Sequence, residues 1–202
     1  MEPPPARPAA PSARPSAVLL PLYERDGAPV ALFIKRTHLV GTHKGEIGLP
    51  GGRIEPGDVS PLAAALREAE EEVGIPPADV TVLGALPRVA TFSTEMELYP
   101  FVGRLVVPPT LRLSPFEVAE AIEAPLAVLL HPDTYVEEDR VLRGVPRRIF
   151  IYRYGPYDIW GVTGRIVQQF LALLAAWPDH TPGQPWTLDE VAAVFQAPTA
   201  KR

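Results

Sequence analysis

The sequence contains no cysteine, which excludes a disulfide framework, a thiolate nucleophile and a cysteine-ligated zinc site together. It also lacks an excess of positive charge. Nineteen basic against 24 acidic residues leave a net of −5, without the broad attraction that non-specific duplex binding requires, so no nucleic-acid partner is expected. No apolar run reaches the roughly 20 residues of a membrane span. The longest late stretch, Ile166 to Trp177, is interrupted by Gln168 and Gln169. Ala17 to Tyr23 is too short for a signal-peptide core, holds Pro21 and ends at Glu24-Arg25; it reads as a strand, and the protein as cytoplasmic with no membrane association.

With 202 residues, 47% of them hydrophobic, the chain can bury the core of one ordinary domain. Proline is the outlier: six of the 26 prolines fall in the first sixteen residues. Residues 1–15 therefore read as a disordered Pro/Ala-rich tail, having little apolar surface to offset the entropy of ordering. Residues 16–178 read as the domain and 179–202 as a C-terminal extension holding a short helix from Thr187 to Phe195. Strands are expected over Ala17 to Tyr23 and Val30 to Lys35, joined at Arg25-Asp26-Gly27, and later over Val80 to Ala90, Leu98 to Val107 and Arg147 to Tyr154. Helices are expected from Ser60 or Pro61 to Val73, with Ser60 as N-cap and Gly74 as terminator, from Pro125 to Leu130, and from Ile159 to Ala176. Strands interleaved with two main helices indicate an α/β layered domain.

A glycine-punctuated stretch, Thr37 to Asp58, separates the first hairpin from the first helix, and long loops inside compact domains usually carry function. Residues 46–72 hold seven acidic and two basic side chains, a local net of −5. The helix wheel places Leu62, Ala65, Leu66, Ala69 and Val73 on an apolar face, with Glu68, Glu71 and Glu72 together on one flank and Glu70 opposite. A solvated charge run is the competing reading. Against it, acids in the C-terminal half of a helix oppose the macrodipole, and Gly51-Gly52, which lets backbone approach a ligand closely, precedes the helix. Three crowded carboxylates disfavour one another's ionisation unless a cation sits among them, and an all-oxygen set suits Mg²⁺ or Mn²⁺.

Gly52, Asp58 and the run Arg67-Glu68-Ala69-Glu70-Glu71-Glu72-Val73-Gly74-Ile75 resemble the Nudix box, G-x5-E-x7-R-E-U-x-E-E-x-G-U, where U is a bulky apolar residue. Three positions depart from it: Asp58 stands where Glu is usual, eight residues rather than seven precede Arg67, and Ala69 is small. The Asp-plus-one variant is similar to the coenzyme A pyrophosphatase branch of that family. Its upstream signature, L-L-T-x-R-[SA]-x3-R-x3-G-x3-F-P-G-G, aligns without a gap on Leu32 to Thr37, Gly45 and Leu49-Pro50-Gly51-Gly52, with Thr37, Gly41 and Leu49 replacing Ser/Ala, Arg and Phe. Pro115 to Leu130 and Ile159 to Thr163 also resemble later segments of the branch.

The resemblance implies an α/β/α sandwich with a mixed β-sheet and metal-dependent hydrolysis of a pyrophosphate joined to a group X. Coenzyme A or an acyl-coenzyme A, cleaved to 3′,5′-ADP and 4′-phosphopantetheine, is the implied substrate. ADP-ribose or NADH is the runner-up, and a nucleotide-binding module without catalysis the alternative class. Glu68, Glu71 and Glu72 are the expected metal and catalytic residues, with Glu68 a candidate base. Arg36, His43, Gly51, Gly52 and Arg53 are candidates for substrate binding; Arg36 either grips a phosphate or forms a surface ion pair. Asp58, Arg67 and Gly74 are expected to be structural, Arg67 by a bidentate pair with Glu55 or Asp58. Glu70 reads as a surface charge and Trp160 as core. The partner is a small nucleotide, and the protein a monomer or homodimer.

Overall fold

A computed structural model describes residues 14–39, 44–90, 96–142 and 144–197. The chain runs β1 (Arg14–Arg25), β2 (Ala28–Arg36), β3 (Ile47–Gly48), β4 (Gly51–Arg53), α1 (Pro61–Val73), β5 (Val80–Ala85), β6 (Val89–Ala90), β7 (Met96–Leu105), β8 (Val118–Pro125), α2 (Leu126–Leu129), β9 (Tyr135–Leu142), β10 (Val145–Tyr154), β11 (Tyr157–Ile159), α3 (Gly161–Ala175) and α4 (Leu188–Gln196). Strands β1 to β8 form one mixed sheet and β9 to β11 a smaller antiparallel one. Among the described residues the one parallel pairing joins β1 to β7.

The period of two in β1 and β2 sorts the core into layers. Val18, Leu20 and Leu22 of β1, with Ala31 and Phe33 of β2, meet Ile166, Val167 and Phe170 of α3 and Val191, Val194 and Phe195 of α4. The opposite face carries Ala17 and Leu19 against Ala64, Ala65 and Ala69 of α1, and Leu32 and Ile34 against Val73 and Ile75. Helices therefore cover both faces of the mixed sheet, as expected of an α/β/α sandwich.

Several elements differ from the sequence reading. The strand expected over Val80 to Ala90 is two strands, with a register shift between Val82 and Gly84 and Pro87 in the gap. On α1, Ala64 and Glu72 are buried while Leu62 and Leu66 are only partly so, because the alanine-lined face lies close against Ala17 and Leu19. Arg14 and Pro15 already pair with Met96 and Glu97 in the sheet; residues 1–13 lie outside the described residues. Trp186, Leu188, Val191 and Phe195, placed by sequence in an extension, are buried in the principal core. Trp160 is not core: it is 41% exposed and precedes α3 with the Arg140 guanidinium 6.0 Å from its ring centroid. Its ring lies outside the apolar cluster because the adjacent Ile159 takes the inward position.

Candidate active site

Helix α1 begins at Ser60, whose hydroxyl accepts from the Ala63 N–H, and ends in a Schellman pattern. Gly74 (φ 75°) and Ile75 donate to the Glu70 and Ala69 carbonyls. No basic residue occupies its last turn. Instead, the N–H groups of Ser114 and Arg112 donate to the Glu72 and Val73 carbonyls at 2.9 Å each, so the following loop satisfies the helix terminus.

Two adjacent glycines admit the acids of this helix to the sheet. The Gly51 N–H donates to Glu72 Oε2 at 2.9 Å. A Cβ at Gly51 (φ 154°) would lie 2.4 Å from the Ala17 carbonyl oxygen, and one at Gly52 would lie 2.3 Å from Glu68 Oε1. Strands β1 and β2 diverge here. Strand β4 pairs with the start of β1 and β3 with the end of β2, so the glycine loop fills the gap directly over α1.

The three flank acids grade from core to solvent: side-chain exposure is 2% for Glu72, 15% for Glu68 and 55% for Glu71. Burial pushes Glu72 up to about 7 against the opposing pull of the Gly51 N–H and Arg36, with Glu68 and Glu117 adding repulsion. Glu68 is raised for the same first reason, partly offset by Arg67. Arg36, at the end of β2, places Nη1 3.4 Å from Glu72 Oε1.

Arg67 forms a fork on Asp58, Nε to Oδ1 at 3.1 Å and Nη2 to Oδ2 at 3.2 Å. The same guanidinium reaches Glu68 (3.1 Å), Glu71 (2.9 Å) and the Arg53 carbonyl (3.1 Å). Asp58 also accepts from the Glu55 N–H at 2.8 Å, and the Arg67 pair holds its carboxyl below the ordinary carboxylate range. Of the two partners considered for Arg67, the bidentate contact is to Asp58.

Sequence reasoning did not single out Glu117. The hydrogen bonds from Arg112 and Ser114 to the end of α1, with Thr37 N–H donating to the Glu117 carbonyl at 2.9 Å, bring this carboxylate close enough to raise the proton affinity of both Glu68 and Glu72. Its spacing from the box carries no periodic signal; only its place within Pro115 to Leu130 pointed to it. Arg53 and Lys44 are exposed beside the loop, and Glu70 is exposed. His43 and Gly41 lie outside the described residues.

Among the described residues, no three acidic or imidazole side chains close around a single point, because Arg67 engages Glu68 and Glu71 while Arg36 and the Gly51 N–H engage Glu72. The donor set nevertheless fits a hard divalent ion. Glu68, Glu72 and Glu117 are all-oxygen, crowded and mutually repelling, and two are largely withdrawn from water. What such a cluster can do is hold positive charge against the phosphates of an anionic ligand.

A model of the NUDIX domain family matches residues 13–143. "Uncharacterized Nudix hydrolase NudL" of Escherichia coli K12 is 39% identical over 167 residues, covering 82% of this chain and 85% of that protein, and the Shigella flexneri protein of the same name matches equally. Among solved structures, a C. elegans Ap4A hydrolase binary complex aligns with a TM-score of 0.54 at 17% identity over 81% of this chain and 98% of its own. A MutT/nudix family protein from Enterococcus faecalis aligns at 0.55 and 14% identity over 94% and 76%. At these identities the structural likeness is one of fold. The chain belongs to the Nudix hydrolase family and is a pyrophosphohydrolase.

Proposed function

We propose that the substrate is coenzyme A or an acyl-coenzyme A, hydrolysed with Mg²⁺ or Mn²⁺ to 3′,5′-ADP and (acyl-)4′-phosphopantetheine. The observation that carries this reading is the upstream signature. Two of its positions, Arg36 and Gly51, are 15 apart in sequence and both contact the Glu72 carboxylate. The segment similar to the coenzyme A branch thus packs against the acidic cluster.

Glu68, Glu71 and Glu72, joined by Glu117, would hold the ions. Bound there, a divalent ion supplies charge neutralisation for the pyrophosphate and acidifies the attacking water. The Gly51 N–H orients Glu72, and Arg67, anchored on Asp58, orients Glu68 and Glu71. Glu68 is suited to accept the proton of the attacking water, being partly desolvated with a raised proton affinity. Because Arg36 already faces Glu72, Lys44 and Arg53 are the exposed cations available to the 3′-phosphate. His43 remains a candidate contact.

Glycine at position 41, where the branch signature has arginine, favours a second reading in which ADP-ribose or NADH is the substrate. Measuring kcat/KM for coenzyme A, dephospho-coenzyme A, ADP-ribose and NADH separates the two. Coenzyme A should exceed its dephospho form by about tenfold or more, the scale of one charge-assisted phosphate contact. A preference for ADP-ribose or NADH overturns the coenzyme A assignment. The protein is further proposed to be cytoplasmic and a monomer or homodimer; among the described residues no helix is long and apolar enough to cross a membrane.

A further inference from the structure

Two large apolar side chains stand exposed on the segments that adjoin the acidic cluster. Phe116 is 73% exposed and Leu39 74%, whereas Phe33, Phe150, Phe170 and Phe195 are buried and Phe101 is half-buried. The backbone of both residues is fixed through Thr37. Its hydroxyl donates to the Phe116 carbonyl at 2.6 Å and accepts from the Leu39 N–H at 3.3 Å, and Thr37 itself is only 8% exposed. Phe116 directly precedes Glu117, whose charge acts on Glu68 and Glu72, and Leu39 follows Arg36 by three residues. Two large apolar side chains are therefore presented to solvent from hydrogen-bonded backbone, on segments adjoining the carboxylates proposed to hold the ions that bind the pyrophosphate. Apolar surface kept in water forgoes the free energy of burial, and loops held on a rigid scaffold are where ligand contacts concentrate.

We propose that Phe116 and Leu39 form an apolar subsite for the part of X nearest the pyrophosphate, so that the enzyme selects leaving groups with a branched or extended hydrocarbon segment there. The proposal rests on the pyrophosphohydrolase reading but not on coenzyme A being the substrate. It places specificity in two side chains outside the carboxylate motif of residues 52–75.

The test uses two adenosine diphosphate esters that differ only in X: the methyl ester and the 2,2-dimethylpropyl ester. The wild-type chain should show a KM about tenfold lower for the branched ester, the scale expected from covering part of a tert-butyl group. In Phe116→Ala the ratio should fall to near one, and Phe116→Leu should retain most of it. Val106→Ala, which removes an apolar side chain 79% exposed elsewhere, should leave the ratio intact. Equal KM values in the wild type overturn the subsite, as does a fall in kcat for both esters in Phe116→Ala with the ratio preserved, which would make Phe116 a positioning residue for Glu117. If neither ester is cleaved, the hydrolytic reading fails for such substrates. Calorimetric affinities of the two esters, measured with Ca²⁺, then decide the subsite separately; equal or absent binding overturns it. A wild-type dimer that Phe116→Ala dissociates, without an ester preference, assigns the surface to a second copy and overturns it as well.

Discussion

The Gly51 N–H and the Glu72 carboxylate, 21 positions apart, are joined by a 2.9 Å hydrogen bond that ties the glycine loop to the buried end of the acidic helix. The geometry at this place depends on the absence of side chains as much as on their presence.

Gly52→Ala should displace the Glu68 carboxylate, which lies where the new Cβ would stand, and lower kcat by about 10²-fold or more. The cost in stability should be modest, because a side-chain carboxylate can move. Gly51→Ala meets backbone instead and should destabilise the fold by about 1–3 kcal/mol. Turnover and thermal melting of the two variants, compared side by side, check this; a larger melting loss in Gly52→Ala would contradict it.

Glu68→Gln and Glu72→Gln should each reduce turnover by about 10²- to 10⁴-fold, and Glu117→Gln by at least about tenfold. Glu70→Gln should change it little, since Glu70 points away from the cluster. Steady-state kinetics on folded variants test the series, and equal damage from Glu70→Gln would refute the assignment of faces.

Freed of divalent ions, folded Glu72 keeps its proton up to about pH 7, against an ordinary value of 4.5. Between those limits the folded state binds more protons than the unfolded state, so stability should fall as pH rises, by about 3 kcal/mol in total. The shift of Glu68 acts in the same direction. Melting temperatures in chelator from pH 4.5 to 8 should decline in the wild type, and much less in Glu72→Gln. An identical decline in both would remove Glu72 as the cause. Asp58 works oppositely: its lowered value contributes stability above about pH 4 that is lost in stronger acid.

Phe195→Ala should cost about 3–5 kcal/mol, because the ring stacks on Phe170 with centroids 6.5 Å apart and fills the space left open by Gly84. Denaturant unfolding measures it. A cost below about 1 kcal/mol would mean that α4 is an appendage.

The hairpin, the long acidic helix and its caps were legible because each rests on local chemistry. Asp26 and Gly27 adopt φ of 53° and 78°, as the Asp-Gly turn signal requires, and Ser60, Pro61 and Gly74 bracket α1 as expected. Strands β8 and β9 were not legible. Glu120 and Glu123, and the Glu137-Glu138-Asp139 run, interrupt any apolar alternation, and pairing with β2 and β10 decides the conformation. Helical spacing groups Glu68, Glu71 and Glu72 on one flank, but depth is a tertiary property. The approach of β4, with Arg36 from the end of β2, goes with the burial of Glu72. Glu117 was hidden for the same reason, its loop being tied to α1 by main-chain groups that any residue type supplies.

Strand β1 is the hub of the mixed sheet. It pairs with β2, β4 and β7, receives α1 on one face, and shares the other with α3 and α4; the Leu19 N–H even donates to the Pro50 carbonyl of the glycine loop. No layer can peel away while leaving this strand satisfied, so the layers cannot melt independently. The amide hydrogens of Val18, Leu19, Leu20 and Leu22 should exchange with solvent only when the whole domain opens.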